Sequence, residues 1–430
     1  MKEIYDSYKD SGIEWLGDIP SHWRKSKFKF VSQIYTGNSL NESQKTEYKS
    51  ENYDDIPYVS SKDINVEFQT VNYNNGLRIP RDNNPLKVSP EGSFLMVIEG
   101  GSSGKKMVYL EQDVCFVNKL CSFNSIENTK FQFYFVQSLN YQNKFKLSMS
   151  GLIGGVSLTN LRDFELILPP VSEQNQIVSF LDNKTSIINS IIEKTKHKIE
   201  LLNEKKISLI NEVITKGLNG KRKMKDSGVD WIGMIPDHWG FVKLKQLFYI
   251  NKRISGELGF DVLSVTQKGL KVKNLENNEG QHSMDYSKYQ LVYENDFVMN
   301  HMDLLTGYVD LSKQTGVTSP DYRVFTKSKK MVYNPYYLYF FQICYSQKIF
   351  YGLGRGVSNM GRWRLPSVEF LNMYVPSPPT QEQIQIVEYL DKQTDIIHKT
   401  ISVEEKRIEL LKEYRQSLIS EVVTGKRKVV

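Results

Sequence analysis

Within the sequence of 430 residues, two long segments each occur twice. Residues 9–23 read KDSGIEWLGDIPSHW and residues 225–239 read KDSGVDWIGMIPDHW, so ten of fifteen positions are identical at an offset of 216. A second pair of matching segments begins at Pro169 and at Pro378, at an offset of 209. An internal repeat of this length predicts a fold built from two equivalent halves.

Between the repeated segments lie two stretches that barely resemble each other. We therefore divide the chain into a repeat signature (1–23), a variable domain (24–168), a long helix (169–217), a linker with the second signature (218–239), a second variable domain (240–377) and a second long helix (378–430). A preserved frame with divergent domains indicates two related but different tasks.

The two segments that open with Pro-Pro predict long helices. Their apolar residues follow alternating steps of three and four, which is the heptad pattern of a coiled coil. Thr380 and Gln383 also fit a capping box at the start of the second helix. The predicted helix-pairing residues are Ile188, Ile192, Ile199, Leu202, Leu209 and Val213 in the first helix, and Ile397, Ile401, Ile408, Leu411, Leu418 and Val422 in the second.

A helix of about 45 residues is roughly 65 Å long and is not stable alone in water with such a seam exposed. The simplest partner is the other helix of the same chain, in an antiparallel pair, and a homodimer is the alternative. The variable segments carry short apolar runs broken by Gly, Asn and Asp, which is typical of mixed α/β domains. One helix is expected in each, over 131–147 and 335–350.

Composition excludes several classes of protein. Hydrophobic residues make up 40% and charged residues 24%, as in an ordinary globular protein. No apolar run approaches the roughly 18 residues that a membrane span needs, and the N-terminus lacks the apolar core of a signal peptide. The three cysteines indicate neither a disulfide framework nor a zinc site. We expect a cytoplasmic protein with no membrane partner, and the net charge of +7 is compatible with a polyanionic one.

Motifs that resemble catalytic ones are incomplete. Residues 100–106 resemble a phosphate-binding loop, but only three residues, not four, separate the first glycine from the Gly-Lys pair. Lys106 also stands where that loop has Ser or Thr. A glycine-rich hairpin that lets backbone approach a ligand is the better interpretation. Asn334-Pro335-Tyr336-Tyr337 lacks the second proline of the Asn-Pro-Pro-Tyr loop of adenine methyltransferases, and Pro335 is expected to be the first residue of a helix. The sequence therefore predicts a protein that is not catalytic by itself.

The tandem order, the two signatures and the Pro-Pro-x-x-Glu-Gln opening of each helix together resemble the specificity (S) subunit of type I restriction-modification enzymes. Within the variable domains, segments 58–64, 91–105, 263–269, 295–303 and 316–322 resemble motifs of target recognition domains. The resemblance covers essentially the whole chain.

The resemblance implies an α+β fold, in which two mixed α/β target recognition domains are separated by two long antiparallel coiled-coil helices in a pseudo-two-fold internal repeat. Each domain would read one half of a bipartite sequence in double-stranded DNA. The helices would set the spacing and dock two methyltransferase (M) subunits, which endonuclease/translocase (R) subunits join. No cofactor would bind this chain directly, because the partner subunits use S-adenosylmethionine, ATP and Mg. An assembly scaffold with non-specific DNA binding and a self-sufficient methyltransferase are the alternatives.

DNA contacts are expected from polar and basic residues at loop-like positions in or near these motifs. The candidates are Asn38, Ser60, Ser61, Lys62, Ser102, Lys105, Lys106 and Asn118 in the first domain, and Lys252, Arg253, Thr266, Gln267, Lys268, His301, Arg355 and Asn359 in the second. No catalytic residue and no metal ligand is predicted.

Overall fold

A computed structural model describes residues 4–50, 52–82, 84–150, 154–274, 286–356 and 363–429. The chain divides into two compact units, and each long helix contributes to both of them. The first unit comprises Met1–Lys196 with Glu405–Val430, and the second comprises His197–Glu404.

The elements of the first half of the chain end with the first long helix. Its strands are β1 (Tyr8–Asp10), β2 (Asp18–Pro20), β3 (Arg24–Lys27), β4 (Ser32–Thr36), β5 (Ile56–Val59), β6 (Ile64–Asn65), β7 (Thr70–Val71), β8 (Arg78–Ile79), β9 (Val88–Ser89), β10 (Phe94–Val97), β11 (Met107–Tyr109), β12 (Val114–Phe116), β13 (Leu120–Ser125) and β14 (Glu165–Leu168). Its helices are α1 (Phe28–Val31), α2 (Glu42–Glu47), α3 (Thr129–Gln137), α4 (Leu139–Leu147), α5 (Leu158–Asp163) and α6 (Val171–Lys216).

The second half repeats this plan. Its strands are β15 (Met224–Asp226), β16 (Met234–Pro236), β17 (Gly240–Lys243), β18 (Phe248–Asn251), β19 (Val262–Thr266), β20 (Gly269–Val272), β21 (Gln290–Val292), β22 (Phe297–Met299), β23 (Val309–Leu311), β24 (Gly316–Thr318), β25 (Arg323–Lys327) and β26 (Tyr374–Ser377). Its helices are α7 (Asn334–Ser346), α8 (Ile349–Gly352), α9 (Ser367–Asn372) and α10 (Thr380–Val423). Pro335 is thus the second residue of its helix, one position later than predicted.

The first variable domain is closed by its own first and last strands, because β3 pairs antiparallel with β14. Between them lie one antiparallel sheet in the order β11-β10-β13-β4 and one sheet in the order β8-β5-β12-β9, in which β5 and β12 are parallel. Strand β10 is buried at every position and reads as an unbroken apolar run, as expected for a strand covered on both faces.

The second variable domain has the same topology despite its different sequence. Strands β17 and β26 close it, and its sheets run β18-β25-β22-β23 and β20-β19-β24-β21, with β19 and β24 parallel. A stacked aromatic pair sits at the same register in both domains. Phe94 and Phe123 have ring centroids 4.6 Å apart, and Phe297 and Phe325 have theirs 5.0 Å apart. Equivalent core positions are therefore preserved where the surrounding sequence is not.

Each signature binds the start of the long helix that follows it. In the first unit, the buried Trp23 donates from Nε1 to Glu173 Oε1 at 3.1 Å, and His22 Nε2 lies 2.7 Å from Glu173 Oε2. In the second unit, Trp239 Nε1 donates to Glu382 Oε2 at 2.8 Å, and His238 Nε2 lies 2.9 Å from Glu382 Oε1. The repeated Trp, His and Glu residues thus form one repeated contact.

The same signatures also contact the end of the other long helix. Gly425 follows α10 in a left-handed conformation, and a side chain there would collide with Pro20 and approach Trp23. Gly217 follows α6 in the same conformation and faces Trp239. Each unit therefore holds the start of one long helix beside the end of the other, so the two helix segments within a unit run antiparallel.

Direct contacts join the helix segments inside each unit. Arg415 of α10 donates to Asn189 of α6 in the first unit, and Lys198 of α6 lies 2.5 Å from Glu404 of α10 in the second. The predicted helix-pairing residues Ile188, Ile192, Val213, Ile397, Ile408, Leu418 and Val422 are buried, and Ile199, Leu202, Leu209, Ile401 and Leu411 are half-buried. The predicted α+β class with two long antiparallel helices is confirmed.

The predicted capping box at α10 is wrong. Thr380 is the first residue of the helix, and its hydroxyl donates to the Met331 carbonyl at 3.0 Å instead of accepting from the helix. The Gln383 side chain is buried and donates to the carbonyls of Pro378 and Met331. Gln174 donates to the Pro169 carbonyl in the equivalent way, which explains why Gln recurs after the double proline.

Candidate nucleic-acid interface

The candidate residues of the first domain lie on turns at the ends of its strands. Lys106 donates from Nζ to the Ser61 carbonyl at 2.6 Å, which joins the end of the glycine-rich turn to the turn after β5. Lys62 and Lys105 are exposed on these two turns. The Ser60 hydroxyl donates to Asp63 at 2.6 Å, so its proton is already engaged. Five of the predicted DNA-binding residues thereby lie on two turns that contact each other.

The other three candidates of this domain have different surroundings. Half-buried Ser102 lies within the glycine-rich turn. Asn38 donates its backbone N–H to the Phe116 carbonyl, and its side chain accepts from the Lys87 N–H. Asn118, two residues beyond Phe116, is exposed. Their DNA contacts remain a prediction.

The glycine-rich turn between β10 and β11 brings protein atoms together. A Cβ at Gly104 would lie 2.7 Å from the Phe145 ring of α4, and Gly104 has a φ of +73°. Gly104 therefore lets the turn pack closely against helix α4 of the same domain. The turn also closes a regular hairpin, since Gly104 N–H donates to the Val97 carbonyl.

In the second domain, the hairpin between β19 and β20 presents Gln267 and Lys268 to solvent. Thr266 shapes this hairpin, because its hydroxyl donates to the Gly269 carbonyl and accepts from the Lys268 N–H. Exposed Lys252 lies one residue after β18. Gln267, Lys268 and Lys252 are therefore accessible to a ligand, whereas half-buried Thr266 fixes the shape of the hairpin.

Arg253 and Arg355 are held in ion pairs. Arg253 donates to the buried carboxylate of Asp296 at 2.9 Å and lies over the Tyr293 ring. Arg355 donates to Glu369 at 2.6 Å and remains largely exposed. Arg253 therefore has a structural partner, whereas Arg355 keeps an accessible face. Asn359 lies outside the described residues.

His301 stands apart from the other candidates because it is half-buried and close to arginines. Burial, together with the positive charges of Arg323 and Arg364, lowers the pKa of His301 to about 4. A neutral imidazole has one donor and one acceptor. At neutral pH it therefore offers hydrogen bonds suited to a base edge more than to a phosphate.

Sequence reasoning missed a carboxylate that joins the first domain to both helix segments of its unit. Glu67, in the turn between β6 and β7, forms ion pairs with Lys196 of α6 and with Lys412 of α10, the latter at 2.6 Å. Burial raises the pKa of the Glu67 carboxyl, but the two lysines outweigh it and hold the pKa below its ordinary value. Glu67 has no counterpart in the repeat, so no sequence signal pointed to it.

Within the described ranges, no group of three or more His, Cys, Asp or Glu side chains could hold a metal ion. No described helix is long and apolar enough to cross a membrane.

The chain contains two α/β domains of the same topology, which differ in the polar side chains on their turns and share a helical frame. This arrangement is typical of a protein with two recognition domains. The chain belongs to the family described as type I restriction modification DNA specificity domain, whose model matches residues 20–201 and 236–411. Specificity subunits are in general non-catalytic.

Curated relatives agree with this family. The chain is 25% identical over 189 residues to the type I restriction enzyme MjaVIII specificity subunit of Methanocaldococcus jannaschii, a match that covers 44% of this chain and 41% of that protein. It is 23% identical over 304 residues to the putative type I restriction enzyme MjaX specificity subunit of the same organism, which covers 69% and 67%. The chain thus spans less than half of the first of these relatives.

Solved structures share the fold. A chain from a structure titled as the basis of complex assembly and conformational transition of the type I R-M system matches with a TM-score of 0.70 at 14% identity, over 94% of this chain and 98% of that one. The HsdS subunit from Thermoanaerobacter tengcongensis matches with a TM-score of 0.51 at 14% identity, over 95% and 98%.

Proposed function

We propose that this chain is the DNA-reading subunit of a type I restriction-modification complex, and that each variable domain recognises one half of a bipartite target in double-stranded DNA. The observation that carries the proposal is the equivalence of the two domains in topology combined with their difference at exposed turns. A shared topology presents the two surfaces to DNA in the same way, and different side chains on those surfaces read different bases.

The long helices serve as the spacer and as the docking platform for two methyltransferase subunits. Support comes from apolar residues that remain exposed at repeat-related positions. Ile187 and Ile396 are 209 residues apart and are 50% and 49% exposed, and Leu201 and Leu410 are also 209 apart and are 50% and 52% exposed. Exposed apolar positions that recur with the repeat suit two copies of one partner.

The chemistry belongs to the partners in this proposal. The methyltransferase subunits use S-adenosylmethionine, and the endonuclease/translocase subunits that join the complex use ATP and Mg. This chain determines the DNA sequence at which the complex binds, and it binds none of these cofactors itself.

Selection from random-sequence duplexes tests the proposal, with the chain co-purified with its methyltransferase partner and the salt concentration fixed, since phosphate contacts make affinity salt-dependent. The expected result is enrichment of two short sequences separated by a fixed gap. Sequence-blind binding would refute recognition and leave an assembly scaffold. Methyl transfer from labelled S-adenosylmethionine by the isolated chain would refute the non-catalytic role.

A domain exchange refines the test. Replacing residues 24–168 by the corresponding domain of a related chain should change one half of the selected sequence and leave the other half and the gap unchanged. A change in both halves would contradict independent reading by the two domains.

A further inference from the structure

The buried inner strands β10 and β22 end in the same backbone contact, so the two variable domains can be matched residue by residue there. After β10, the Ile98 carbonyl accepts from the Val156 N–H at 3.0 Å. After β22, the His301 carbonyl accepts from the Leu365 N–H at 3.0 Å. The side chains around this contact can therefore be compared between the domains position by position.

A backbone bridge beside this contact has a different charge in each domain. In the first domain, hydrogen bonds of 2.9 and 3.1 Å join Ser150 and Gly155. In the second, hydrogen bonds of 2.8 and 3.1 Å join Arg355 and Arg364. Gly155 and Arg364 each precede the residue that donates to the strand end, so Arg364 stands where the first domain has a glycine.

Arg323 adds a buried positive charge at the same place. It pairs with Met299 on β22, as Cys121 pairs with Met96 on β10. Arg323 is 3% exposed, and its guanidinium donates to the Leu365 carbonyl at 2.8 Å. No carboxylate of the described residues forms an ion pair with it. Because little solvent screens a buried cation, the nearby surface carries a positive potential.

Arg364 brings an accessible cation to this surface. The residue is exposed, and no described carboxylate forms an ion pair with it. Arg355, across the bridge, is by contrast paired with Glu369 at 2.6 Å. Asp303, in the turn after β22, accepts from two backbone N–H groups of that turn. Of the two arginines of the bridge, Arg364 is therefore the one available to an anion from another molecule.

Contacts on both sides fix the position of Arg364. The preceding Trp363 donates from Nε1 to the Tyr351 carbonyl at 2.7 Å, and the two rings stack with centroids 5.3 Å apart. The following Leu365 is held by the His301 carbonyl. Binding of an anion therefore requires only that the Arg364 side chain become ordered, which limits the entropic cost.

The first domain carries an exposed cation at the corresponding surface, but on a different segment. Its glycine-rich turn bears exposed Lys105. This turn contacts the bridge, because the Gly100 N–H donates to the Gly154 carbonyl at 2.9 Å. The equivalent turn of the second domain, residues 300–308, contains no lysine or arginine. A positive charge is thus present at one place in both domains from non-equivalent positions, as expected for a common polyanionic ligand.

We propose that Arg364 binds a backbone phosphate of the DNA half-site read by the second domain, and that Lys105 does so in the other half-site. This inference rests on the function proposed above. A guanidinium has only hydrogen-bond donors, and the charged oxygens of a phosphodiester only accept. Phosphate contacts fix the register of a protein on the duplex without carrying sequence information. Arg364 therefore adds affinity at every sequence and holds the second domain in place while its other residues read bases.

The salt dependence of duplex binding tests this contact, with the chain co-purified with its methyltransferase partner. Each phosphate contact contributes about 0.9 to the slope of log affinity against log salt concentration. Arg364→Gln should therefore lower that slope by about 0.9, which is about a 3.5-fold smaller loss of affinity over a fourfold rise in salt. Lys105→Gln should lower it equally, and the double variant by about twice as much. Arg364→Lys keeps the charge and should restore the slope.

Neutral methylphosphonates map the contact on the DNA. Single phosphates of the selected duplex are replaced one at a time, and the affinity of the complex is measured for each. The wild-type complex should lose affinity at a phosphate of the half-site read by the second domain. The Arg364→Gln complex should bind that substituted duplex and the unmodified one equally. Equal sensitivity of both complexes at every position would contradict the assignment.

Two control variants and the selected sequence separate the outcomes. Lys313→Gln removes an exposed cation beyond the other end of β23, and His301→Gln changes an imidazole that is uncharged at neutral pH; both should keep the slope. An unchanged slope for Arg364→Gln, or an equal loss for Lys313→Gln, would overturn the proposal. So would an altered half-site with an unchanged slope, which would assign Arg364 to a base. The slope can be measured on a duplex of any sequence, so it decides on Arg364 even if the wild type selects no two-part target, a result that would refute the proposed function.

Discussion

Substitution of Glu67 by glutamine should loosen the contact between the first variable domain and the helix segments of its unit. The change keeps the size of the side chain and an acceptor oxygen, but it removes the charge that pairs with Lys196 and Lys412. The Glu67 side chain is 21% exposed and the two lysines are 40% and 43% exposed. These pairs are neither fully solvated nor fully buried.

The magnitude follows from that exposure. An exposed ion pair contributes roughly 0.2–1 kcal/mol, and a hydrogen bond to a charged group contributes about 1.5–3 kcal/mol. With two half-solvated pairs and one acceptor retained by glutamine, we expect a loss of about 1–2 kcal/mol. Because a chain of two units need not unfold in one step, local opening is the better measure. Hydrogen exchange of residues 64–71 should accelerate by about five- to thirtyfold.

The pH dependence identifies the cause. The pKa of Glu67 is lower in the folded chain than its ordinary value of 4.5. Its contribution is therefore complete above the unfolded pKa and is lost as the pH falls through the folded pKa. The difference in opening free energy between wild type and Glu67→Gln should vanish at low pH. Glu42→Gln, which removes an exposed carboxylate paired with Lys45, should change nothing measurable. A difference that persists unchanged at low pH would refute the role of the charge.

Three further results are expected. Trp239→Phe removes the donor to Glu382 and should lower the local opening free energy at the start of α10 by about 1–3 kcal/mol, as measured by hydrogen exchange; unchanged exchange there would contradict this. Gly104→Ala should cost at least roughly 1–2 kcal/mol, because it places a side chain at a φ of +73°, and normal thermal stability would count against that reading. Lys268→Ala should alter only one half of the selected DNA sequence or reduce the salt slope of binding by about 1, and an effect on both halves would argue against a local contact.

The frame was predictable from the sequence because it repeats. Trp23 and Trp239 recur at an offset of 216, and the structure shows each of them bonded to the glutamate that opens the next long helix. The heptad pattern likewise predicted two long helices. Because both halves of the chain make this contact, its residues occur twice in the sequence. Such a repeat can be detected without knowledge of the fold.

Features present in one unit alone were not predictable. Glu67 approaches Lys412 across 345 residues of sequence (412 − 67 = 345), and nothing in its local pattern distinguishes it from a solvated glutamate. The partners of Arg253 were hidden for the same reason, since Asp296 lies on a different turn of the domain. Loop geometry decides whether a basic residue faces solvent or an internal carboxylate, and sequence spacing does not encode that geometry.

In each variable domain the first strand pairs with the last strand, and this pairing has an evolutionary consequence. Arg24 is opposite Leu168 on β3 and β14, and Gly240 is opposite Ser377 on β17 and β26, so the chain enters and leaves each domain at neighbouring points. Recombination between genes at those two points would exchange a whole domain while every contact of Trp23 or Trp239 with the helices is inherited unchanged. A lineage could thus acquire a new DNA specificity in one genetic event, without having to evolve the rest of the molecule again.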